Sequence, residues 1–192
     1  MLISACSDDD DGRLPFAEID GSMLKWHPYP DVANTDSISF TSSASISVAY
    51  SFSDYIRGIN CLDDGVTRDC EIRYQTLWFR SPNSDREYYL NVVLLPERSL
   101  TFNYSSTGGI STEIARTIFP DNAPEIPLSD IFDVMYLETV TYNGMTTEGF
   151  RITTRTTSPP FLLDSPPKEV LYLANFGVVE WSDYSGNTFF LQ

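Results

Sequence analysis

The chain has 192 residues and a mass of 21.7 kDa, which is the size of one domain with a short tail. Its 12 Lys and Arg against 27 Asp and Glu give a net charge of −15, which excludes a surface built to bind nucleic-acid phosphates. The single histidine, His27, excludes multi-histidine metal sites and leaves little room for a histidine-based catalytic triad. We therefore expect neither a metal ion nor another cofactor.

The chain opens with an aliphatic residue, two small residues and a cysteine, Ile3-Ser4-Ala5-Cys6. An acidic run follows directly: Ser7, Asp8, Asp9, Asp10 and Asp11. The first motif resembles the lipobox of bacterial lipoproteins, in which the signal peptide is cut before an acylated cysteine. The acidic run resembles the export signal of Bacteroidota surface lipoproteins. The resemblance implies a lipid on Cys6, a position on the outer-membrane surface, and residues 1–5 as the remnant of a signal peptide.

Two other interpretations of this N-terminal segment stay open. The first is a free cysteine in an acidic tail. The second is a calcium loop, because Ser7–Glu18 has the spacing of an EF-hand, although Pro15 lies inside it and no helical periodicity flanks it. We expect residues 6–22 to be a lipidated, disordered acidic tether and residues 23–192 to be a single all-β domain.

The clearest strand signal lies in residues 37–53, where apolar side chains occupy almost every even position. Only Ser42 breaks that set, and most of the odd positions hold serine. A period of two predicts a half-buried β-strand, and the length of the run predicts a bend or a bulge within it. Such curvature favours a wrapped sheet or an open barrel.

Two further cysteines, Cys61 and Cys70, bracket the turn-forming residues Asp63-Asp64-Gly65. Their spacing does not fit a zinc site. In an exported protein the pair is most simply a disulfide, which would stabilise the fold by about 2–3 kcal/mol by closing a short loop. In a cytoplasmic protein two free thiols would be the better interpretation.

Alternating or β-branched runs predict further strands: 71–80, 87–95, 133–142, 145–156, 169–176, 178–183 and 188–191. Asn143-Gly144 is the strongest short hairpin signal in the chain, and Gly177 indicates a bulge or a bend. The best helix candidate is Ser111–Ile118. The rest of Leu100–Ser129 is proline-rich and predicts a long irregular loop, in which functional residues are often found.

These patterns together predict an all-β domain, either an antiparallel β-sandwich or a curved, partly open β-barrel. The C-terminal run Tyr172–Val179, with the hairpin that closes the chain, is also similar to the ending of many Bacteroidota lipoproteins. That second resemblance supports the lipoprotein interpretation and implies no activity.

Aromatic side chains are the candidate ligand contacts, and five of them are named: Trp26, Tyr29, Trp78, Tyr88 and Trp181. Aromatic residues in strands are more often core residues or cross-strand pairs, so that alternative stays open. A glycoside hydrolase needs two carboxylates across a cleft. Four glutamates on predicted strands are candidates for that pair: Glu138, Glu148, Glu169 and Glu180.

The chain contains no glycine-rich nucleotide loop and no nucleophile elbow, so we expect a protein without catalytic activity. The sequence predicts a surface lipoprotein, held at the outer membrane by its lipid, whose β domain binds a ligand such as a glycan or a partner protein. A structural subunit of an envelope complex is one alternative, and a carboxylate-dependent hydrolase is another.

Overall fold

The computed structural model describes residues 17–28, 37–42, 46–63, 66–80, 87–96, 98–106, 111–118, 124, 126, 132–155, 167–184 and 186–192. This part of the chain holds one 3-10 helix, Gly21–Trp26, and eleven strands. The strands are β1 Ser37–Thr41, β2 Ile46–Asp63, β3 Val66–Arg80, β4 Glu87–Leu95, β5 Ser99–Ser106, β6 Ser111–Ile118, β7 Phe132–Tyr142, β8 Met145–Thr154, β9 Glu169–Leu173, β10 Gly177–Ser182 and β11 Thr188–Leu191.

The strands form an antiparallel meander with the spatial order β6-β5-β4-β3-β2-β1-β11-β10-β9-β8-β7. The first and last strands lie side by side, because β1 pairs with β11. Strands β6 and β7 are the two edges of the sheet, and no backbone pairing joins them within the described residues. The predicted antiparallel all-β class is therefore confirmed, and the sheet does not close into a barrel.

The two halves of the sheet face each other across one aromatic core. Phe102 of β5 contacts Phe150 of β8 and Tyr172 of β9, and the ring centroids in each pair are 5.4 Å apart. Phe79 of β3 contacts Trp181 of β10 at the same separation. These strands are distant in the sheet order, so the sheet must fold over to bring their side chains together. The result is a sandwich-like arrangement whose stability comes from apolar burial.

Residues 37–53 form two strands, so the predicted single bent strand is wrong. The chain reverses direction between Thr41 and Ile46, which lie opposite each other in the antiparallel pair β1–β2. The alternation of apolar and polar residues continues through this reversal, so the pattern alone did not reveal it. A period of two identifies strand conformation but does not distinguish one long strand from a hairpin.

The helix predicted over Ser111–Ile118 is also wrong, because these residues form β6. Strand β6 pairs with β5 from Ser99 opposite Ile118 to Ser105 opposite Ser111. The predicted irregular loop Leu100–Ser129 therefore contains most of β5 and all of β6. Threonine and isoleucine favour strands, and the open edge of β5 supplies the backbone partners that outweigh a weak helical signal.

The predicted hairpins are confirmed where turn chemistry was clear. Strands β3 and β4 pair as expected, and so do β10 and β11. Asn143 and Gly144 both have positive φ values, 47° and 77°, which is the geometry that a two-residue turn between β7 and β8 requires. Gly177, with φ of 73°, begins β10 next to a register shift between Val178 and Glu180.

Residues Ala17–His27, which we name the strap, pack against the sheet before β1 begins. Ala17 pairs in parallel with Cys70 of β3, and the Glu71 N–H donates to the Ala17 carbonyl at 2.9 Å. The Ile19 N–H donates to the buried Glu71 carboxylate at 3.0 Å. The strap thus occupies the edge of β3 beyond the point where its pairing with β4 ends.

The 3-10 helix of the strap covers one end of the core, which we name the strap end. Met23 and Trp26 are buried, and the Trp26 ring lies 5.0 Å from that of Phe150. The Tyr172 hydroxyl donates to the Trp26 carbonyl at 2.7 Å. The domain boundary at residue 23 stays a prediction, but backbone pairing of Ala17 with Cys70 and the burial of Ile19 hold the residues before it against β3.

Candidate functional site

A surface groove of about 360 Å³ opens at the strap end, where the strap, the β7–β8 hairpin and the β9–β10 turn meet. Its lining is mostly polar and includes Lys25, Glu138, Thr146, Thr147, Glu148 and Asn175. A volume of this size lies within the range of small-molecule sites, which is about 300–1,000 Å³. It is the candidate functional site of the described residues.

Strand β8 positions Glu148 at the boundary between core and groove. Phe150 and Ile152 alternate along β8 and are buried in the core, and Glu148 is the next residue in that alternation. Successive even residues of a strand project from the same face. The carboxylate of Glu148 therefore emerges where the apolar interior ends, and its side chain remains 23% exposed.

The strap brings Lys25 to this carboxylate. The Lys25 ammonium forms an ion pair with Glu148 Oε1 and lies 5.8 Å from the centre of the Trp26 ring. The Asn175 N–H donates to the Lys25 carbonyl at 2.6 Å, which fixes the backbone of the strap against the β9–β10 turn. Burial of Trp26 and this hydrogen bond together determine where the ammonium lies.

Tyr136 of β7 donates its hydroxyl to the other oxygen, Glu148 Oε2. Burial raises the pKa of Tyr136 well above its usual range, and the hydrogen bond to Glu148 and the charge of Glu148 raise it further. The hydroxyl consequently stays protonated and remains a donor at any physiological pH. Both oxygens of Glu148 are thus held, one by a cation and one by a neutral donor.

Backbone contacts make the frame of the groove rigid. The Thr147 hydroxyl donates to the Ala174 carbonyl at 3.0 Å, and the Ala174 N–H donates to the Glu148 carbonyl at 2.9 Å. Asn175 follows in a left-handed conformation, with φ of 67°, and its side chain is exposed at the groove. The groove therefore offers a lysine, carboxylates, hydroxyls and an amide on a fixed backbone.

A half-buried aromatic pair joins the β7–β8 hairpin to the β9–β10 turn. The rings of Tyr142 and Phe176 meet edge to face, with centroids 5.0 Å apart. Phe176 directly follows Asn175, and Tyr142 lies opposite Met145, whose side chain is 54% exposed. Tyr142 and Met145 form a cross-strand pair on the face that alternates with that of Thr146 and Glu148, so this aromatic contact joins the two turns and is not part of the groove lining.

The structure corrects the prediction of an aromatic binding face for two tryptophans. Trp26 is fully buried and Trp181 is 2% exposed, because both fill the core between the two halves of the sheet. Trp78 is half-buried and packs edge-on against Tyr89, with ring centroids 5.7 Å apart. The side chains of the other two predicted contacts, Tyr29 and Tyr88, lie outside the described residues.

Two of the four predicted strand glutamates share the groove. Glu138 and Glu148 both line it. Glu169 instead lies 3.4 Å from the Arg151 guanidinium, and Glu180 lies opposite Phe190 in the pair β10–β11. The strand register, including the bulge between Leu137 and Val140 in β7, determines which carboxylates lie close together. The spacing of the glutamates along the sequence does not reveal this register.

The cysteine predictions stay predictions. Cys6 and the acidic run lie outside the described residues: Ser7, Asp8, Asp9, Asp10 and Asp11. In the backbone register Cys61 lies opposite Arg68, and Cys70 lies opposite Ile59. The two cysteines are therefore on adjacent strands and two residues away from direct opposition, and the side chain of Cys61 is outside the described set.

Sequence reasoning did not single out four polar residues of the groove lining, Lys25, Thr146, Thr147 and Asn175, nor Tyr136, whose hydroxyl donates to Glu148. A signal existed for Asn175, because Asn175-Phe176-Gly177 between two strands has the composition of a hairpin turn. The position of Lys25 depends on how the strap docks, which no local pattern specifies. Tyr136 was read only as part of a strand.

Within the part of the chain that the structure describes, no three His, Cys, Asp or Glu side chains are grouped as metal ligands. No helix in that part has the length and apolar character needed to span a bilayer. Compared with models of known families, with curated proteins and with solved structures, the chain gives no match.

Proposed function

We propose that this protein is a non-catalytic lipoprotein of the outer-membrane surface, whose β domain binds a small polar ligand in the groove at the strap end. One observation carries the binding proposal: a solvent-open groove of about 360 Å³ presents charged, hydroxyl and amide groups on a backbone that is held by hydrogen bonds. Proteins commonly orient small ligands with a few hydrogen-bond donors and acceptors that are held in fixed positions.

The anchor proposal rests on the lipobox-like Ile3-Ser4-Ala5-Cys6 and the acidic run after it. Eleven residue steps separate Cys6 from Ala17, the first residue that the structure describes, so this stretch of chain can span at most about 40 Å. The strap connects this tether to the groove within the same segment of chain. In this proposal the binding site lies at the end of the domain from which the anchor leaves.

One cross-strand row on β7–β11, among the side chains that the structure describes, favours ligand binding over an assembly role. The exposed apolar residues Met135 and Phe190 lie in one cross-strand row with Leu171 between them. Arg151 and Glu180 separate these three residues along the row. Charges at alternate positions interrupt the continuous apolar patch that a stable protein interface needs at its centre.

A ligand screen tests the binding proposal. The full chain with Cys6→Ala, which removes the lipid acceptor, would be screened by thermal shift against glycans, polyols, amino acids and organic acids. A ligand at 100 times its dissociation constant stabilises by about 2.7 kcal/mol, which is a shift of several degrees. A hit whose shift is lost in Asn175→Gly supports the groove, whereas a flat response to every class contradicts the proposal.

Metabolic labelling tests the anchor proposal separately. The chain would be expressed in a Bacteroidota host behind a functional signal peptide and fed a clickable fatty acid. We expect the label on the native chain and none on Cys6→Ala. Equal labelling of both chains, or of neither, would show that Cys6 is not the lipid site.

The shared position of Glu138 and Glu148 favours a hydrolase as the second candidate function. Glycoside hydrolysis requires a carboxylic acid and a second carboxylate on either side of the bond. In that case aryl glycosides would be cleaved by the native chain, and Glu138→Gln or Glu148→Gln would abolish turnover. Binding of glycosides without cleavage supports the non-catalytic proposal instead.

A further inference from the structure

The charges that line the groove do not balance. The lining holds one ammonium, that of Lys25, and two carboxylates, those of Glu138 and Glu148, so its net charge is negative. The Lys25 ammonium pairs with Glu148, and Glu138 is the carboxylate that remains. Glu138 is exposed, and no cation among the described residues forms an ion pair with it. The groove therefore has one negative charge available to a ligand.

A bulge in β7 brings the two carboxylates together. The register shift between Leu137 and Val140 places Glu138 and the residue after it opposite the single residue Glu148. Like charges at neighbouring cross-strand positions repel each other. Burial raises the pKa of Tyr136, the hydrogen bond to Glu148 raises it further, and the charges of both glutamates add to the shift. Both carboxylates thus act on one hydroxyl, and a cation beside Glu138 would relieve their repulsion.

The chain's own Lys25 shows that an alkyl ammonium fits this groove, because its Nζ contacts Glu148 Oε1 there. An ammonium donates hydrogen bonds and accepts none, so it binds where acceptors converge. The acceptors that the ion pair leaves unused are the Glu138 carboxylate, the Asn175 amide oxygen and the Thr146 hydroxyl oxygen, all on exposed residues of the lining. A second ammonium can bind to them, compensated by Glu138 as Lys25 is by Glu148.

Other ligand classes fit the lining less well. An anion would be repelled by the lining and by the net charge of −15 of the chain, which instead raises the local concentration of cations. A neutral ligand would leave Glu138 uncompensated. A divalent metal ion would have to compete for Glu148, whose two oxygens are held by Lys25 and Tyr136.

We infer that the ligand of this groove is a small organic cation whose primary ammonium group binds Glu138, with Asn175 and Thr146 as further acceptors. This inference rests on the proposed binding function and specifies the ligand class of the same site.

The test is an NMR titration of the full Cys6→Ala chain at about pH 7 and constant ionic strength, with probes that differ only in their head group. Butylamine is the ammonium probe, and 1-butanol and butyrate are its neutral and anionic counterparts. Butyltrimethylammonium has the same charge without N–H donors, and calcium chloride represents a metal ion. The main variant is Glu138→Gln, which removes the charge at an exposed position. Glu18→Gln removes the same charge at an exposed residue outside the groove lining and serves as the matched control.

We expect butylamine to bind more tightly than the other four probes and to shift the amide resonances of Thr146 and Asn175. Glu138→Gln should weaken this binding by about 3- to 10-fold, as loss of one solvent-accessible charged hydrogen bond predicts, and Glu18→Gln should leave it unchanged. Binding of any other probe as tight as that of butylamine would overturn the inference, and so would equal binding by the two variants. If the ligand screen identifies a neutral or anionic compound in the groove while butylamine does not bind, this inference fails and the proposed binding function stands.

Discussion

Glu148 lies at the boundary between the hydrophobic core and the candidate site. Its position is set by the same alternation that buries Phe150 and Ile152, and its charge is held by Lys25 and Tyr136. A carboxylate at the end of an apolar row costs free energy unless its oxygens are paired. Here both oxygens are paired, so the polar groove extends the core without leaving an unpartnered charge at Glu148.

His27 predicts a measurable dependence of stability on pH. The residue is 4% exposed and its Nε2 lies 3.0 Å from the Tyr74 carbonyl oxygen. Burial lowers the pKa of His27, the hydrogen bond to Tyr74 opposes the shift, and the charge of Arg73 adds to it. The unfolded chain therefore takes up this proton first as the pH falls, so stability decreases below about pH 6.5 by at most about 1.4 kcal/mol per pH unit.

His27→Gln isolates this effect, because the glutamine amide can still donate to the Tyr74 carbonyl and does not titrate. Urea unfolding at about pH 7.5 and about pH 5.5 should show a larger loss of unfolding free energy in the native chain than in the variant. Since His27 is the one histidine of the sequence, the difference between the two chains reports it alone. Equal losses of unfolding free energy in the two chains would contradict the burial of His27.

Gly149 is required by a close approach between β8 and β9. A Cβ atom at this position would lie 2.5 Å from the Tyr172 carbonyl oxygen and 2.5 Å from Leu173 Cδ2. Because one of these atoms belongs to the backbone, Gly149→Ala should destabilise the fold by about 1–3 kcal/mol. Gly21→Ala is the matched control, since its Cβ would meet no atom within 4 Å. Thermal denaturation of both variants checks the prediction, and equal melting temperatures would refute it.

Among the elements, those with explicit turn chemistry were predicted and those that depend on distant partners were not. Asn143-Gly144 specified the β7–β8 hairpin locally, because both residues accept positive φ values. Strand β6 forms only because its backbone pairs with the edge of β5. The reversal between β1 and β2 is not visible in the sequence, because apolar and polar residues alternate through it without a break. The strap was missed because its pairing partner, β3, lies more than fifty residues further along the chain.

Removing the first part of the strap should destabilise the domain. A chain that begins at Met23 loses the pairing of Ala17 with Cys70, the burial of Ile19, and the Ile19 N–H that donates to Glu71. Burial of one isoleucine and one hydrogen bond to a buried carboxylate together predict a loss of about 3 kcal/mol or more.

The comparison is urea unfolding of two chains, one beginning at Ala17 and one at Met23. We expect a lower midpoint for the shorter chain. Equal midpoints would mean that residues 17–22 belong to the tether, as the sequence alone had indicated.

At the scale of the whole molecule, the fold class was predictable and the site was not. Period-two patterns and hairpin signals are sufficient to indicate an antiparallel all-β domain, because each depends on neighbouring residues. The groove combines Lys25 of the strap, Glu148 of β8 and Asn175 of the β9–β10 turn, which only the folded sheet brings together. Its residues are ordinary surface types, so composition does not distinguish them from the rest of an acidic surface.

The measurement that tests the central claim most directly is the mapping of a bound ligand onto the assigned amide resonances of the chain. The strongest compound from the ligand screen would be titrated into ¹⁵N-labelled Cys6→Ala protein. We predict that the largest shifts fall on Thr146, Thr147 and Asn175 at the strap end, and that Asn175→Gly reduces them. Shifts concentrated at the opposite end of the sandwich, around Thr154 and Val170, would contradict the assignment of the groove as the binding site.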